Sequence, residues 1–220
     1  SANFPYGTKI DTDLEAIISN MICFLEQLDV DFIVVACNTA SSVIERCGLV
    51  AKVPLITIIN MTVEHALAKH KGDGFLVLGT SATVKSKIYA SKLKSKGVKP
   101  GTVLELDCQP LVSFVETAQY RKHGLSRLED YFADIERDAN STIILGCTHF
   151  ILLEESLPRI FPNSSIVSPV NPLKLEIQSI STKDDPHPGK MEIYTTGDPV
   201  VFAKKAGALV DGHAITRVCL

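Results

Sequence analysis

Short apolar runs alternate with helix-patterned segments along almost the whole chain, and this alternation is the feature that most limits its fold. The runs are rich in β-branched residues, and they are "FIVVA", "LITII", "GFLVLG", "TVLELD", "TIILG", "SSIVS", "MEIYTT" and "ITRVCL". Leu14, Ile17, Ile18, Met21, Ile22, Leu25 and Leu28 predict a first helix starting at Asp11 to Asp13. Further helices are predicted after Thr39 and near 62–70, 82–96, 110–119, 125–138, 150–157, 172–180 and 199–208. This order is typical of a mainly parallel α/β fold.

Two of the apolar runs end in the same way. "DFIVVACNTASS" at 31–42 and "STIILGCTHFIL" at 141–152 each close a strand with a small residue, a cysteine and a threonine-containing turn that opens a helix. Because ligands of open α/β sheets bind beyond the carboxyl ends of the strands, we expect Cys37 and Cys147 to face one crevice. A single cysteine at a strand end is more often structural, but the pair favours a chemical role.

The remaining cysteines carry no such pattern. Cys23, Cys47, Cys108 and Cys219 are predicted to be small core hydrophobes, Cys47 and Cys108 on weaker grounds than the other two. The six cysteines show no CxxC pair and no cysteine–histidine spacing of the kind that zinc sites use, so we expect no metal.

Composition and charge limit the partners. The 220 residues are 45% apolar with a formal net charge of −3, which argues against a nucleic-acid partner. Lys85, Lys87, Lys92, Lys94, Lys96 and Lys99 form a basic run, for which a solvated helix face is favoured over phosphate binding. No apolar run is long enough for a bilayer, and "SANFPYGTKI" lacks the order of a signal peptide, so we expect a cytoplasmic protein without membrane contact.

Five motifs together resemble the aspartate/glutamate racemase family, and within it most nearly the glutamate racemases. They are "FPYG" at 4–7, "ACNTAS" at 36–41, "LGTSATVKSKIY" at 78–89, "LGCTHF" at 145–150 and "TTGDPVVF" at 195–202, in the order that the family has them. The resemblance implies two pseudo-symmetric, mainly parallel α/β domains with the active site in the cleft between them. It also implies cofactor-independent conversion of L-glutamate to D-glutamate, which supplies peptidoglycan synthesis.

The resemblance also implies site residues. Cys37 and Cys147 match the family's two catalytic cysteines, and its acid/base helpers at the second cysteine match His149 and Glu116. Its amino-acid contacts carry over to Pro5, Tyr6, Gly7, Asn38, Thr39, Thr80, Thr83 and Thr148. From the residues alone, His149 could also cap its helix, Glu116 could be solvated, Tyr6 and Gly7 could form a turn, and "GTSAT" could cap the lysine-bearing helix.

Racemisation chemistry calls for such a pair independently. A proton leaves one face of Cα and another returns on the opposite face, so two acid/base groups must flank the carbon. A cysteine base must become a thiolate, which a helix N-terminus or a charged neighbour favours. Backbone N–H groups and hydroxyls of "CNT" and "CTH" are the donors available for the substrate carboxylate.

The family pattern also leaves alternatives open. We expect the family's first strand and its "Asp-Ser-Gly" loop, which carries an acid/base helper for the first cysteine, to have no counterpart in residues 1–220. The rival interpretations are an aspartate racemase and a catalytically silent racemase-like binding protein. The expected partner is L- or D-glutamate, and a homodimer is left open. We expect residues 1–60 plus 173–220 to form one α/β domain and residues 61–172 the second.

Overall fold

The computed structural model of the chain describes residues 2–70, 72, 74–135, 141–180 and 190–220. Its strands are β1 (Ile33–Val35), β2 (Leu55–Thr57), β3 (Gly74–Gly79), β4 (Val103–Asp107), β5 (Ser141–Gly146), β6 (Ser165–Val167), β7 (Ile193–Thr195) and β8 (Ile215–Arg217). Its α-helices are α1 (Asp11–Glu26), α2 (Asn38–Cys47), α3 (Ile58–Lys69), α4 (Ser81–Ser86), α5 (Ile88–Ser95), α6 (Gln109–Glu116), α7 (Tyr120–Tyr131), α8 (Leu157–Ile160), α9 (Val170–Ile180) and α10 (Pro199–Ala206). Short 3-10 helices span Tyr6–Thr8, Thr148–Leu153 and Gly207–Val210.

The largest sheet has four parallel strands in the order β4-β3-β5-β6. Each of the eight predicted runs corresponds to one observed strand, although β5 begins one residue before its run, and every strand pair in the described residues is parallel. The register sets Gly79 opposite both Asp107 and Gly146, so β3, β4 and β5 end together. This arrangement confirms the predicted mainly parallel α/β class and brings the residues that follow those three strands to one edge.

Both faces of the four-stranded sheet are covered, and the pleat divides the strand residues between two cores. Leu76, Leu78, Ile143 and Leu145 pack with α6 and α7 on one face. The residues between them, including Phe75, Val77 and Ile144, pack with α3 and α5 on the other face. Because side chains alternate across a strand, a continuous apolar run fills both cores, and this explains why β3 and β5 lack polar alternation.

The remaining strands form two small sheets. β1 pairs with β2, and this pair packs with α1 and α2 around a third core that contains Leu14, Ile18, Ile33 and Val43. β7 pairs with β8, and the ring of Tyr194 on β7 lies 5.3 Å from that of Phe24 on α1. The C-terminal strands are therefore in contact with the first helix of the chain.

Three predicted helices differ from the observed ones. The predicted helix 82–96 is split into α4 and α5, because Lys87 adopts a left-handed conformation with φ of 54° and ends the first segment. The predicted helix 125–138 is observed as α7, which starts earlier, two residues after the left-handed Ala118. Residues 136–138 of that prediction lie outside the described part of the chain. The predicted helix 150–157 is a 3-10 helix followed by the short α8, with Pro158 near its start.

The predicted burial of the spare cysteines is partly wrong. Cys108 is buried, but Cys23, Cys47 and Cys219 are exposed. On α1 the buried positions are Leu14, Ile18 and Ile22, which lie four residues apart, and Cys23 is turned about 100° away from Ile22. Cys219 lies two residues beyond the end of β8 and is exposed there.

Candidate active site

A cavity of about 260 Å³ lies where the ends of the β-strands meet the 3-10 helix Tyr6–Thr8. Both cysteines predicted to act together, Cys37 and Cys147, line it. The other lining residues are Phe4, Pro5, Tyr6, Gly7, Asn38, Thr39, Thr80, Gln109, Val112, Thr148 and His149. Ten of the twelve predicted site residues therefore contribute to this wall, and the other two, Thr83 and Glu116, contact residues that do.

Cys37 stands at the N-terminus of α2, two residues beyond β1. It is the N-cap residue with extended backbone angles, as a residue between a strand and a helix must be. Burial raises the pKa of its thiol, and hydrogen bonds from the backbone N–H groups of Ala40 and Thr39 oppose that rise. The helix start therefore supplies the stabilisation that a thiolate needs in this position.

Cys147 occupies the equivalent place after β5. It is the N-cap residue of the 3-10 helix Thr148–Leu153 and is only 6% exposed. Burial raises the pKa of its thiol to about 12, opposed by hydrogen bonds from the backbone N–H groups of His149 and Phe150, while the negative charge of Cys37 raises it further. The mutual effect of the two sulfurs favours a state in which one is ionised and the other protonated.

His149 and Glu116 extend the Cys147 side of the site. The Sγ atom of Cys147 lies 3.7 Å from Nδ1 of His149, and Nε2 of His149 lies 2.8 Å from Oε1 of Glu116. Lys205 on α10 donates from Nζ to Oε2 of Glu116 at 2.7 Å. Burial raises the pKa of Glu116, but the hydrogen bonds from Lys205 and His149 outweigh it and hold the pKa below its ordinary value. Cys147, His149, Glu116 and Lys205, named here the Cys147 relay, form one connected chain.

Three threonines join the two sides of the cavity. Oγ1 of Thr80 lies 2.9 Å from Oγ1 of Thr39 and 2.9 Å from Oγ1 of Thr83, and the Thr39–Thr83 distance is 3.3 Å. The Thr80 side chain also accepts from the backbone N–H of Thr83 and caps α4, so its capping role and its place in the cavity wall coexist. Thr83 is fully buried behind this wall.

The segment from Phe4 to Gly7 closes one side of the cavity. A Cβ atom on Gly7 would lie 2.0 Å from Oε1 of Gln109 and 2.6 Å from Cβ of Thr80, so only glycine fits between them. Burial and the neighbouring Cys37 raise the pKa of Tyr6, which keeps its hydroxyl protonated. The turn through Pro5 and Gly7 therefore brings the chain against the cavity, and a residue larger than glycine would not fit in place of Gly7.

Three lining residues were not predicted: Phe4, Gln109 and Val112. Gln109 directly follows the residue after β4, so the rule that selected Cys37 and Cys147 could also have found it. Among the described residues, neither its buried Oε1 nor the buried Nδ2 of Asn38 has a hydrogen-bond partner, while the hydroxyl of Tyr89 donates to Oδ1 of Asn38. Two residues of the cavity wall thus carry a buried polar atom, an acceptor on Gln109 and a donor on Asn38, without a partner in that part of the chain.

Comparison with known proteins decides the family. A family described as Asp/Glu/Hydantoin racemase matches residues 1–171. The chain belongs to this family. It is 31% identical over 209 residues to a glutamate racemase of Persephonella marina, covering 93% of this chain and 78% of that one. The resemblance predicted from the motifs is therefore confirmed, and the chain belongs to an enzyme class, the amino-acid racemases.

Solved structures support the same fold. Glutamate racemase from Campylobacter jejuni subsp. jejuni superposes with a TM-score of 0.81 at 27% identity, over 93% of this chain and 83% of that one. Glutamate racemase from Thermus thermophilus, in complex with beta-chloro-D-alanine, gives a TM-score of 0.82 at 25% identity over 100% of this racemase and 84% of that one. The arrangement of sheets and helices described above is thus the arrangement of glutamate racemases.

Within the described residues of the racemase, no group of three or more histidine, cysteine, aspartate or glutamate side chains is placed to hold a metal ion. No helix in the same part of the chain has the length and apolarity needed to cross a membrane.

Proposed function

We propose that this racemase interconverts L- and D-glutamate, with Cys37 and Cys147 acting on opposite faces of the substrate Cα. One observation carries the proposal: the two cysteines line a single cavity, and each is the N-cap of a helix whose backbone N–H groups face its sulfur. Two acid/base groups of the same kind suit a reaction whose substrate and product are mirror images, since each group acts as base in one direction and acid in the other.

The reaction begins with one cysteine as thiolate and the other as thiol. The thiolate takes the α-proton, the C–H electron pair moves into the substrate carboxylate, and the opposite thiol returns a proton to the other face of Cα. The second cysteine is then the thiolate, so charge and protons balance and the enzyme is ready for the reverse reaction. No pyridoxal phosphate or metal takes part in these steps.

The polar wall supports an amino acid as the substrate. Nδ2 of Asn38 and Oε1 of Gln109, both buried and without a partner in the described residues, are the donor that we assign to a substrate carboxylate and the acceptor that we assign to an α-ammonium group. Thr39, Thr80 and Thr148 add hydroxyls to the same wall, with Thr83 behind them. Donors fixed in place before the reaction stabilise the charge that develops on the carboxylate. The glutamate racemase names of the similar proteins support glutamate over other amino acids.

The domain division is part of the proposal. We assign residues 1–60 plus 173–220 to one domain and 61–172 to the other, and the contact of Phe24 with Tyr194 supports grouping the C-terminal strands with α1. The core formed by α1, β1, α2 and β2 is also separate from the two cores of the four-stranded sheet. A D-glutamate supply for peptidoglycan, a cytoplasmic location and a homodimer stay predictions from the resemblance.

The test is interconversion of the two glutamate enantiomers, followed by circular dichroism without added pyridoxal phosphate or metal and in the presence of a chelator. We expect conversion in both directions with the unaltered protein, a loss of about 10²–10⁴-fold with Cys37→Ser or Cys147→Ser, and normal conversion with the exposed control Cys23→Ser. Near-normal turnover by either cavity variant would contradict the two-base mechanism. Faster conversion of aspartate than of glutamate would overturn the choice of substrate.

A further inference from the structure

The Cys147 relay ends on a helix from a distant part of the sequence. Lys205 lies on α10, 89 residues beyond Glu116, and its Nζ is 2.7 Å from Oε2 of Glu116. The same Nζ lies 5.6 Å from the centroid of the Phe4 ring, which in turn is 5.8 Å from that of the His149 ring. Lys205 therefore contacts Glu116 directly and lies above the aromatic residue that packs against His149.

Glu116 needs a partner on its second oxygen. Its Oε1 contacts Nε2 of His149, and without Lys205 its Oε2 would face a neighbouring cavity that Lys204 and Arg121 also line. A carboxylate held at one oxygen only can rotate away from the histidine, whereas one held at both oxygens keeps its orientation. The charged side chains that line this cavity around Glu116 are Arg121, Lys204 and Lys205, and the imidazole of His149 and the phenol of Tyr120 line it too.

Folding stability alone does not explain the ion pair between Lys205 and Glu116. The side chains of Lys205 and Glu116 are 55% and 25% exposed, and ion pairs at such positions contribute little to folding stability. The contact is therefore better explained by what it does to His149. A fixed, ionised Glu116 accepts a hydrogen bond from the protonated Nε2 of His149. This contact turns Nδ1 of His149 toward the sulfur of Cys147.

We infer that Lys205 is a positioning residue for proton transfer at Cys147, acting through Glu116 and His149. The inference rests on the proposed function, since it concerns the same reaction. It makes α10 a functional part of the active site, although Lys205 does not line the cavity that contains the cysteines. Substrate binding should therefore be independent of Lys205, whereas turnover should depend on it.

The test compares Lys205→Met with Lys205→Arg and with the control Lys204→Met, which changes the neighbouring exposed lysine. We expect Lys205→Met to lower kcat for glutamate about tenfold with little change in KM, a fraction of the usual contribution of general acid–base catalysis. Lys205→Arg should restore most of the rate, and Lys204→Met should behave like the unaltered protein. Equal losses in the two lysine-to-methionine variants, or a change confined to KM, would overturn the inference.

The pH profile separates positioning from a structural role. Lys205 helps to keep the pKa of Glu116 below its ordinary value, so its removal lets that pKa rise. Glu116 is then protonated at a higher pH, and the acid limb of the kcat/KM profile should move to higher pH in Lys205→Met only. An unchanged acid limb would contradict the inference.

A double-mutant cycle then tests whether Lys205 acts through Glu116. In the Glu116→Gln background, adding Lys205→Met should change kcat less than about twofold. A full additional loss in that background would mean that Lys205 acts by another route and would overturn the inference. Failure of the unaltered protein to racemise glutamate would refute the proposed function instead, so the two failures are distinguishable.

Discussion

The two cysteine sites of the cavity share one local design but differ in what lies behind the sulfur. Cys37 and Cys147 each follow a parallel strand and cap a helix, and two backbone N–H groups face each sulfur. Behind Cys147 stands the relay of His149, Glu116 and Lys205. In the described part of the chain, no histidine or carboxylate lies within hydrogen-bonding distance of the Cys37 sulfur.

Burial raises the pKa of both thiols, to about 12 for Cys147, and two backbone N–H groups oppose the rise at each sulfur. A buried thiol gives up its proton less readily, so each cysteine needs help to ionise. At Cys147 the histidine and carboxylate of the relay add that help, whereas within the described residues the helix start is what serves Cys37. Two groups that perform mirror-image steps need not have mirror-image surroundings.

The strongest test of this comparison removes one sulfur at a time. Cys37→Ser leaves Cys147 to act on one face of Cα, and Cys147→Ser leaves Cys37 to act on the other, so both should lose racemisation by about 10²–10⁴-fold. Each variant should still exchange the α-proton of one glutamate enantiomer with deuterium oxide, and the two variants should exchange opposite enantiomers. Proton loss from L- and D-glutamate, followed separately by NMR, measures this.

The comparison further predicts which variant keeps more exchange. Cys37→Ser retains the Cys147 relay and should exchange its enantiomer faster than Cys147→Ser exchanges the other. Adding Glu116→Gln should slow exchange in Cys37→Ser but not in Cys147→Ser, where it serves as the matched control. Exchange of the same enantiomer by both single variants would refute the assignment of one cysteine to each face.

Much of the site could be predicted because its signals are local in sequence. A cysteine directly after a β-branched run marks the carboxyl end of a strand, and the run "LGCTHF" places His149 within one turn of Cys147. The Glu116–His149 contact came from the family resemblance alone. Lys205 could not be found in this way, because its partner is 89 residues away and a lysine in a helix is usually solvated.

The predicted bounds of helix 82–96 were wrong for a different physical reason. The apolar spacing of 82–96 continues through Lys87, and nothing in that residue type announces a left-handed backbone. Its side chain pairs with the buried carboxylate of Glu105 at 3.1 Å, while Lys92 and Lys96 pair with Glu45 and Glu64. The partner of Lys87 thus lies on β4, and such a contact across the fold has no signature in the local pattern.

A smaller effect is expected at Gln109 in the cavity wall. Gln109→Met keeps the length and volume that Gly7 packs against but removes Oε1, which we propose receives the substrate ammonium. KM for glutamate should rise about three- to tenfold, the equivalent of one hydrogen bond of about 1 kcal/mol, while kcat changes little. Steady-state kinetics measure both values.

The control for Gln109 is the same substitution at an exposed site. Gln119→Met lies between α6 and α7, outside the cavity wall, and should leave KM unchanged. Asn38 is the corresponding group on the Cys37 side, but there the hydroxyl of Tyr89 already fixes Oδ1, so the free group is a donor. A fall in kcat without a rise in KM would show that Gln109 acts on the reaction rather than on binding.

The smallest effect is expected behind the wall, where the threonine cluster joins the two sides. Thr83→Val removes a buried hydroxyl, but Thr39 and Thr80 remain 2.9 Å apart and can still satisfy each other. The free energy of unfolding should therefore fall by only about 1 kcal/mol, and kcat/KM for glutamate by less than about threefold. Urea denaturation and steady-state kinetics give the two values. Thr142→Val is the matched control, since Thr142 is a buried threonine of β5 outside the cavity wall, where its hydroxyl bonds Nδ1 of His70, and its loss should lower stability without lowering activity. A tenfold loss of kcat/KM in Thr83→Val at near-normal stability would mean that the cluster sets the distance between the two cysteines, and the sides of the cavity would then have to be treated as one coupled unit.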